Sequence, residues 1–303
     1  MKTLIMKIYS LFFLFFTTFL IAQNKTDTLN LSEIPTQFTL SKKIHETSGV
    51  EFYNDFLYTL NDSGNQPEIY KLNSQNGEII QTIKIKDATN VDWEEIARKG
   101  DTLFIGDFGN NLGNRKDLTI YSIIIPQGTL SKNIEINILH TYYFNFEDQI
   151  NFNNKEYLVT NFDCEAFVYY DKKLHIFTKR WGDYQTTHYE LNLNTTKKTL
   201  TAKKIETFNT ECVITGADIY NKELYLIGYT KDGLAYTWKF INFSDGKFFN
   251  GEAQKTFIGL TPMISQTEGI AISKDKIYIT GEEMNYSLFK VQPTLYIIDK
   301  NKL

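Results

Sequence analysis

The stretch "NVDWEEIARKGDTLFIGDFGNN" (Asn90–Asn111) holds two short apolar runs with carboxylates at their outer ends. Asp92, Glu94 and Glu95 open the first run, and Asp107 closes the second. Short apolar runs bounded by Gly, Asp and Asn are strand signals, and Lys-Gly-Asp between them marks a tight reversal. An antiparallel pair brings its outer ends together, so this hairpin carries its acids at one end.

The pattern recurs. "SGVEF" at Ser48, "EEIAR" at Glu94, "EAFVY" at Glu165, "TGADI" at Thr215 and "EGIAI" at Glu268 are each followed, nine residues on, by a second apolar run. Those runs begin at Leu57, Leu103, Leu174, Leu224 and Ile277. A third, aromatic-centred run follows each pair, as in "EIYKLN" and "TLYIID", and a fourth precedes the next repeat, as in "IIQTIKI" and "LTAKKIETF". No segment sustains the 3.6-residue apolar stripe of a core helix. Four strands per unit at intervals of 46–71 residues predict an all-β fold, a β-propeller of five blades with four antiparallel strands each. The last unit lacks its fourth strand, and "TQFTLSKKI" (Thr36–Ile44) is expected to supply it and close the ring. The long second unit, with "NFEDQINFNNKEYLVTNF" (Asn145–Phe162), leaves six blades as the alternative.

The first 22 residues stand apart. Lys2 and Lys7 precede an apolar run from Ile8 to Ala22, the layout of a secretory signal peptide. The run is shorter than the ~20 residues that span a bilayer. A secreted, periplasmic or cell-envelope location is therefore expected, with no membrane span after signal removal. Residues 23–35 read as an N-terminal extension and residues 36–303 as one propeller domain, expected to be monomeric.

Charge narrows the function. The 32 Lys and Arg are scattered among 36 Asp and Glu, for a net charge of −4, which argues against nucleic acid. Cys164 and Cys212 are the only cysteines and read as separate buried thiols in preference to a bridge. The sequence contains no GxxxxGK[ST], GxSxG, HExxH or EF-hand pattern.

In a four-stranded blade the start of strand one and the end of strand two meet on one face. The first ring there is Ser48, Glu94, Glu165, Thr215 and Glu268, with Glu46, Asp92, Asp163 and Gln266 just before it. Asn61, Asp62, Asp107, Thr178, Lys179, Glu282 and Glu283 arrive from the ends of second strands. Glu94, Glu165 and Glu268 are the expected metal ligands, because clustered carboxylates suit a hard ion such as Ca²⁺. Asn61, Asp62, Asp92, Asp163, Thr215, Lys179, Arg180 and Trp181 are the expected ligand-binding residues, Trp181 as a pocket wall. His45 and Asp107 are the candidate bases for any catalysis.

The motifs "NDSGNQPEIYKL" (Asn61–Leu72), "DWEEIA" (Asp92–Ala97), "DCEAF" (Asp163–Phe167), "TGADI" (Thr215–Ile219) and "TEGIAI" (Thr267–Ile272) resemble, in this order, a family of uncharacterised secreted bacterial β-propellers. The Glu that opens an inner strand in "EGIA" is also similar to the metal-binding blade starts of calcium-dependent lactonase and gluconolactonase propellers, and to the esterase-like phytase group. These resemblances imply a propeller and, through the Glu, a bound cation. The expected function is an exported propeller whose acidic face binds a small polar ligand, a cation or a partner loop. A divalent-cation-dependent hydrolase of an ester, lactone or phosphoester is the alternative. The absence of a recognisable catalytic constellation favours binding.

Overall fold

The computed structural model describes residues 26–128, 131–194, 197–287 and 290–303. The expected signal peptide, residues 1–22, lies outside them. Strands β1 (Thr26–Thr28) and β2 (Gln37–Thr39) precede a first antiparallel set: β3 (Thr47–Tyr53), β4 (Phe56–Asn61), β5 (Glu68–Asn73) and β6 (Ile79–Lys86). Next come β7 (Trp93–Lys99), β8 (Thr102–Asp107), β9 (Thr119–Ile124), β10 (Asn133–Asn137) and β11 (His140–Phe146). Of these, β11 completes the second set beside β9, whereas β10 leaves it to run parallel to β6. The third set is β12 (Asp163–Tyr170), β13 (Lys173–Lys179), β14 (Thr186–Leu191) and β15 (Thr199–Phe208). The fourth is β16 (Val213–Tyr220), β17 (Glu223–Tyr229), β18 (Leu234–Ile241) and β19 (Glu252–Leu260). A four-residue helix, α1 (Thr261–Ile264), leads into β20 (Gln266–Ile272) and β21 (Lys276–Glu282). A short ladder of β22 (Met284–Asn285) and β23 (Lys290–Val291) precedes β24 (Thr294–Asp299).

The last set takes its outer strand from the N-terminal side, because Gln37, Phe38 and Thr39 of β2 pair with Tyr296, Leu295 and Thr294 of β24. Lys42–Ile44, expected to continue that strand, instead form a 3-10 turn capped by Ser41. The innermost strands touch in a closed circuit, β3 to β7, β12, β16, β20 and back to β3.

Local chemistry explains the constant offset of nine. In three of the inner hairpins both turn residues have positive φ: Asn54 and Asp55, Asp171 and Lys172, and Asn221 and Lys222. That is the two-residue turn whose twist matches paired strands, and it locks the register. Each inner strand then carries one bulge near its start: between Thr47 and Val50, Trp93 and Glu95, Cys164 and Ala166, Ile214 and Gly216, and Thr267 and Gly269. The ring positions Ser48, Glu94, Glu165, Thr215 and Glu268 all fall inside these bulges. A bulge adds a residue without a partner and re-aims its side chain.

Side-chain alternation divides the core into clusters between neighbouring sets. Leu103 and Ile105 face Ile69 and Ile83 of the first set, whereas Phe104 between them faces Phe167 of the third. Likewise Leu226 packs with Phe177, but Tyr225 and Ile227 pack with Ile270 and Tyr296. Tyr278 and Leu295 of the last set meet Val50 and Leu72 of the first. The inner-strand positions expected between units, Val50, Ile96, Phe167, Ala217 and Ile270, are all buried, one in each cluster.

Residues 26–34, read as part of an extension, are built onto the fold. Strand β1 runs parallel to β19, and Leu31 and Ile34 are buried against Ile258 and Ile264. The extra length of the second unit goes to β10 and to the connection from β11 to β12. Cys164 and Cys212 are separate buried thiols. Among the described residues no helix is long and apolar enough to cross a membrane.

Candidate functional site

A cavity of about 520 Å³ opens where the inner strands begin. Its lining includes Asp62, Glu94, Glu165, Lys179, Trp181 and Glu268, six of the residues singled out in the sequence. The register explains why they meet. Thr47, Trp93, Asp163, Val213 and Gln266 on inner strands pair with Asn61, Asp107, Lys179, Tyr229 and Glu282 on second strands. Every hairpin therefore delivers one second-strand end beside one bulged residue.

Asp62, Asp92 and Glu94 form the tightest group, with one oxygen from each lying within 4.8 Å of the others. The backbone around them is fixed. Asn90 Nδ2 donates to the carbonyls of Asn61 at 3.0 Å and Asp62 at 2.9 Å, and the Ser63 amide donates to the Asp62 carboxylate. Gly109 passes so close that a Cβ there would stand 2.2 Å from Glu94 Oε1 and 2.3 Å from Asp92 Oδ2. A larger residue there would push both carboxylates aside.

Proton affinities follow from this crowding. Burial, helped by Asp62 and Asp163, pushes Asp92 up to about 7. Burial pushes Asp62 up to about 6, with Lys179 opposing and Glu46 and Asp163 adding. Glu94 rises well above the usual carboxylate range, through burial and through Asp62, Glu165 and Asp92. Such shifts mark sites where carboxylates face one another without full neutralisation.

The opposite side is partly neutralised from within. The buried Lys179 Nζ lies 2.5 Å from Glu165 Oε2, and 5.1 and 5.6 Å from the ring centres of Trp181 and Tyr229. Burial opposes the Lys179 charge, but Glu165, Tyr229, Glu268 and Asp163 override it and hold its proton well above the ordinary lysine value. Trp181 Nε1 donates to Asp163 Oδ2 at 3.1 Å, while Asp163 Oδ1 accepts the amides of Asn110 at 2.7 Å and Cys164 at 3.1 Å. Asp163 thus braces the wall behind the cavity. Glu268 accepts from Gln266 Nε2 at 2.6 Å through Oε1, and among the described residues its buried Oε2 has no hydrogen-bond partner. Burial, with Asp62 adding and Lys179 opposing, pushes Glu268 up to about 7.

Other candidates are committed elsewhere. Asp107 accepts Arg115 Nη2 at 3.0 Å and the Asp92 amide at 3.1 Å, which anchors the start of β7. His45 Nε2 lies 3.7 Å from Glu46 Oε2, outside the cavity lining. Asn61 donates to Lys43 O at 2.9 Å, and Thr215 Oγ1 to Thr267 O at 2.9 Å. Arg180 pairs with Asp183 and donates to Thr187 Oγ1 at 2.6 Å.

Sequence reasoning missed Tyr157, Tyr229 and Tyr286, which also line the cavity. Tyr229 was within reach, since it ends the second strand of the fourth unit as Lys179 ends that of the third. Tyr157 and Tyr286 lie on irregular connections where the repeat carries no information.

No protein-family model and no curated protein matches the chain. Solved structures match it in fold. An exo-β-1,3-galactanase from Clostridium thermocellum shares 14% identity and a TM-score of 0.52, over 91% of this chain and 62% of that one. An exo-β-1,3-galactanase from Phanerochaete chrysosporium shares 10% identity and a TM-score of 0.51, over 86% of this chain and 62% of that one. The chain thus spans about three fifths of the length of these proteins, 62% in each case. The likeness is one of fold, and with the strand content it makes this an all-β, propeller-like protein.

Proposed function

We propose that the five four-stranded sets are the blades of one five-bladed propeller, and that its cavity is a cation-binding site. The occupant best supported on the Asp62 side is a divalent ion such as Ca²⁺. The observation that carries this reading is the convergence of Asp62, Asp92 and Glu94 within 4.8 Å. Three carboxylates suit a hard cation and leave further coordination positions for water or a small polar ligand. Glu165 is paired with Lys179 and Glu268 is bonded to Gln266, so the Asp62 group replaces the Glu94–Glu165–Glu268 set as the proposed ligands.

Titration calorimetry of the full chain with Ca²⁺, Mg²⁺ and Mn²⁺ tests the proposal. Binding by the wild type, and its loss in the Asp62→Asn/Asp92→Asn double variant, are expected. Absence of a response to all three ions would sink it.

Hydrolysis is a second reading, favoured by Glu268. Its proton affinity lies near neutrality in the same cavity, where a carboxyl group can act as a general acid. Turnover of model esters, lactones or phosphoesters that vanishes in Glu268→Gln would support that reading over simple binding.

A further inference from the structure

At the end of the ring where inner strands begin, several connections turn large apolar side chains into water. Ile150 (92% exposed), Tyr157 (65% exposed) and Val159 stand on the connection from β11 to β12. Leu112 stands on that from β8 to β9, Val91 just before β7, and Met263 (61% exposed) on α1. All these segments lie at the end of the ring where inner strands begin. Scattered exposed apolar residues are ordinary, but several on the connections at one end of a ring, here called the collar, point to an interaction surface. The long connection is held in place, since the Leu158 amide donates to Asn111 O at 3.2 Å and the Trp181 amide to Thr160 O at 3.1 Å.

Two facts define the occupant. Of the six collar residues, only Tyr157 lines the cavity, so a small molecule seated inside would leave the rest in water. A partner broader than the opening covers them. Within the cavity, on the last set, Gln266 Nε2 is shared between Glu268 at 2.6 Å and Glu282 at 2.5 Å. Among the described residues neither acid makes a salt bridge, and the buried Glu268 Oε2 lacks any hydrogen-bond partner.

We infer that this face docks a polypeptide segment that inserts one lysine or arginine side chain toward Glu268 and Glu282, while its flanking apolar residues cover the collar. An ammonium or guanidinium group supplies the donors that two carboxylates sharing one amide lack. Its apolar stem suits the walls formed by Tyr229 and Tyr286, both of which line the cavity. The inference rests on the reading of the cavity as a cation site, but it uses Glu268 and Glu282 where that reading uses Asp62, Asp92 and Glu94.

The full chain, with and without Ca²⁺, would be applied to an array of heptapeptides carrying a fixed central lysine, arginine, norleucine or glutamate and randomised flanks. Preferential capture of central lysine or arginine with apolar flanks is expected, about ten-fold over norleucine. Glu268→Gln/Glu282→Gln should erase that preference while keeping the Ca²⁺ response. Ile150→Asp/Met263→Asp should weaken every captured peptide without lowering the melting temperature. Equal capture of norleucine, no capture, or an unchanged preference in the Gln variant would overturn the inference. A lost Ca²⁺ response with the peptide preference intact would overturn the metal reading alone.

Discussion

The Glu95 carboxylate on β7 accepts the backbone amide of Ala217 on β16 at 3.0 Å, across 122 residues of sequence. Its other oxygen accepts the Ile96 amide at 2.8 Å. Glu95 therefore ties two inner strands that are not neighbours in the ring. Gly49 lies against the same strand, where a Cβ would meet Glu95 Oε1 at 2.2 Å and the backbone at Glu95 Cα (2.5 Å) and Ile96 N (2.6 Å).

Glu95→Ala should destabilise the protein by about 2–4 kcal/mol, because it leaves a buried amide unpaired and opens a void. Glu95→Gln keeps one acceptor but turns its NH2 toward the other amide, and should cost about 1–3 kcal/mol, less than Glu95→Ala. Gly49→Ala should fall nearer to Glu95→Ala. Urea unfolding of the three variants checks the order.

The acid-rich cavity should make the cation-free protein less stable as pH rises. Asp62, Asp92 and Glu268 hold their protons up to about 6, about 7 and about 7, against ordinary values of 3.8, 3.8 and 4.5. Between the two sets of values the folded chain binds more protons than the unfolded one, so stability falls with increasing pH. The melting temperature in chelator should therefore drop from pH 5 to about pH 8. Saturating Ca²⁺ should flatten that slope by binding the ionised carboxylates of the folded state. A chelator-treated protein whose melting temperature rises over this interval would contradict the site.

The strand repeat was legible because it rests on two local signals, a period-two apolar pattern and short turns. The convergence of Asp62, Glu94, Glu165, Lys179 and Glu268 followed from the repeat. Which of them face one another did not, because that depends on bulge geometry. Glu94 and Glu95 are adjacent in sequence yet do different work: Glu94 lines the cavity and Glu95 spans the ring. Lys179 reads as a ligand-binding residue at a strand end, and only the ring places it in ion-pair contact with Glu165. Strands β1 and β10 escaped notice because each joins a sheet built from distant sequence.

Lys179→Met should destabilise the fold by about 3–5 kcal/mol at neutral pH, since it strands the Glu165 carboxylate in a buried site. Adding Glu165→Gln should recover most of the loss. A double-mutant cycle read by thermal melting gives the coupling. Additive losses would mean that the pair contributes packing alone.

Burial pushes the Cys212 thiol up to about 12 and raises Cys164 well above its ordinary value. Both should resist a thiol reagent at pH 8 in the folded protein and react fully in denaturant. Rapid labelling of either in native buffer would contradict their burial.

The pairing of β2 with β24 also bears on how the chain is made. Residues 37–39 are synthesised long before residues 294–296, with which they pair. Until then the first and last strands of the ring both present open edges, and open edges recruit other chains. Ring closure therefore waits until β24 has been made. A chain truncated before Thr294 should leave the ribosome as an aggregation-prone chain, however sound its first four sets.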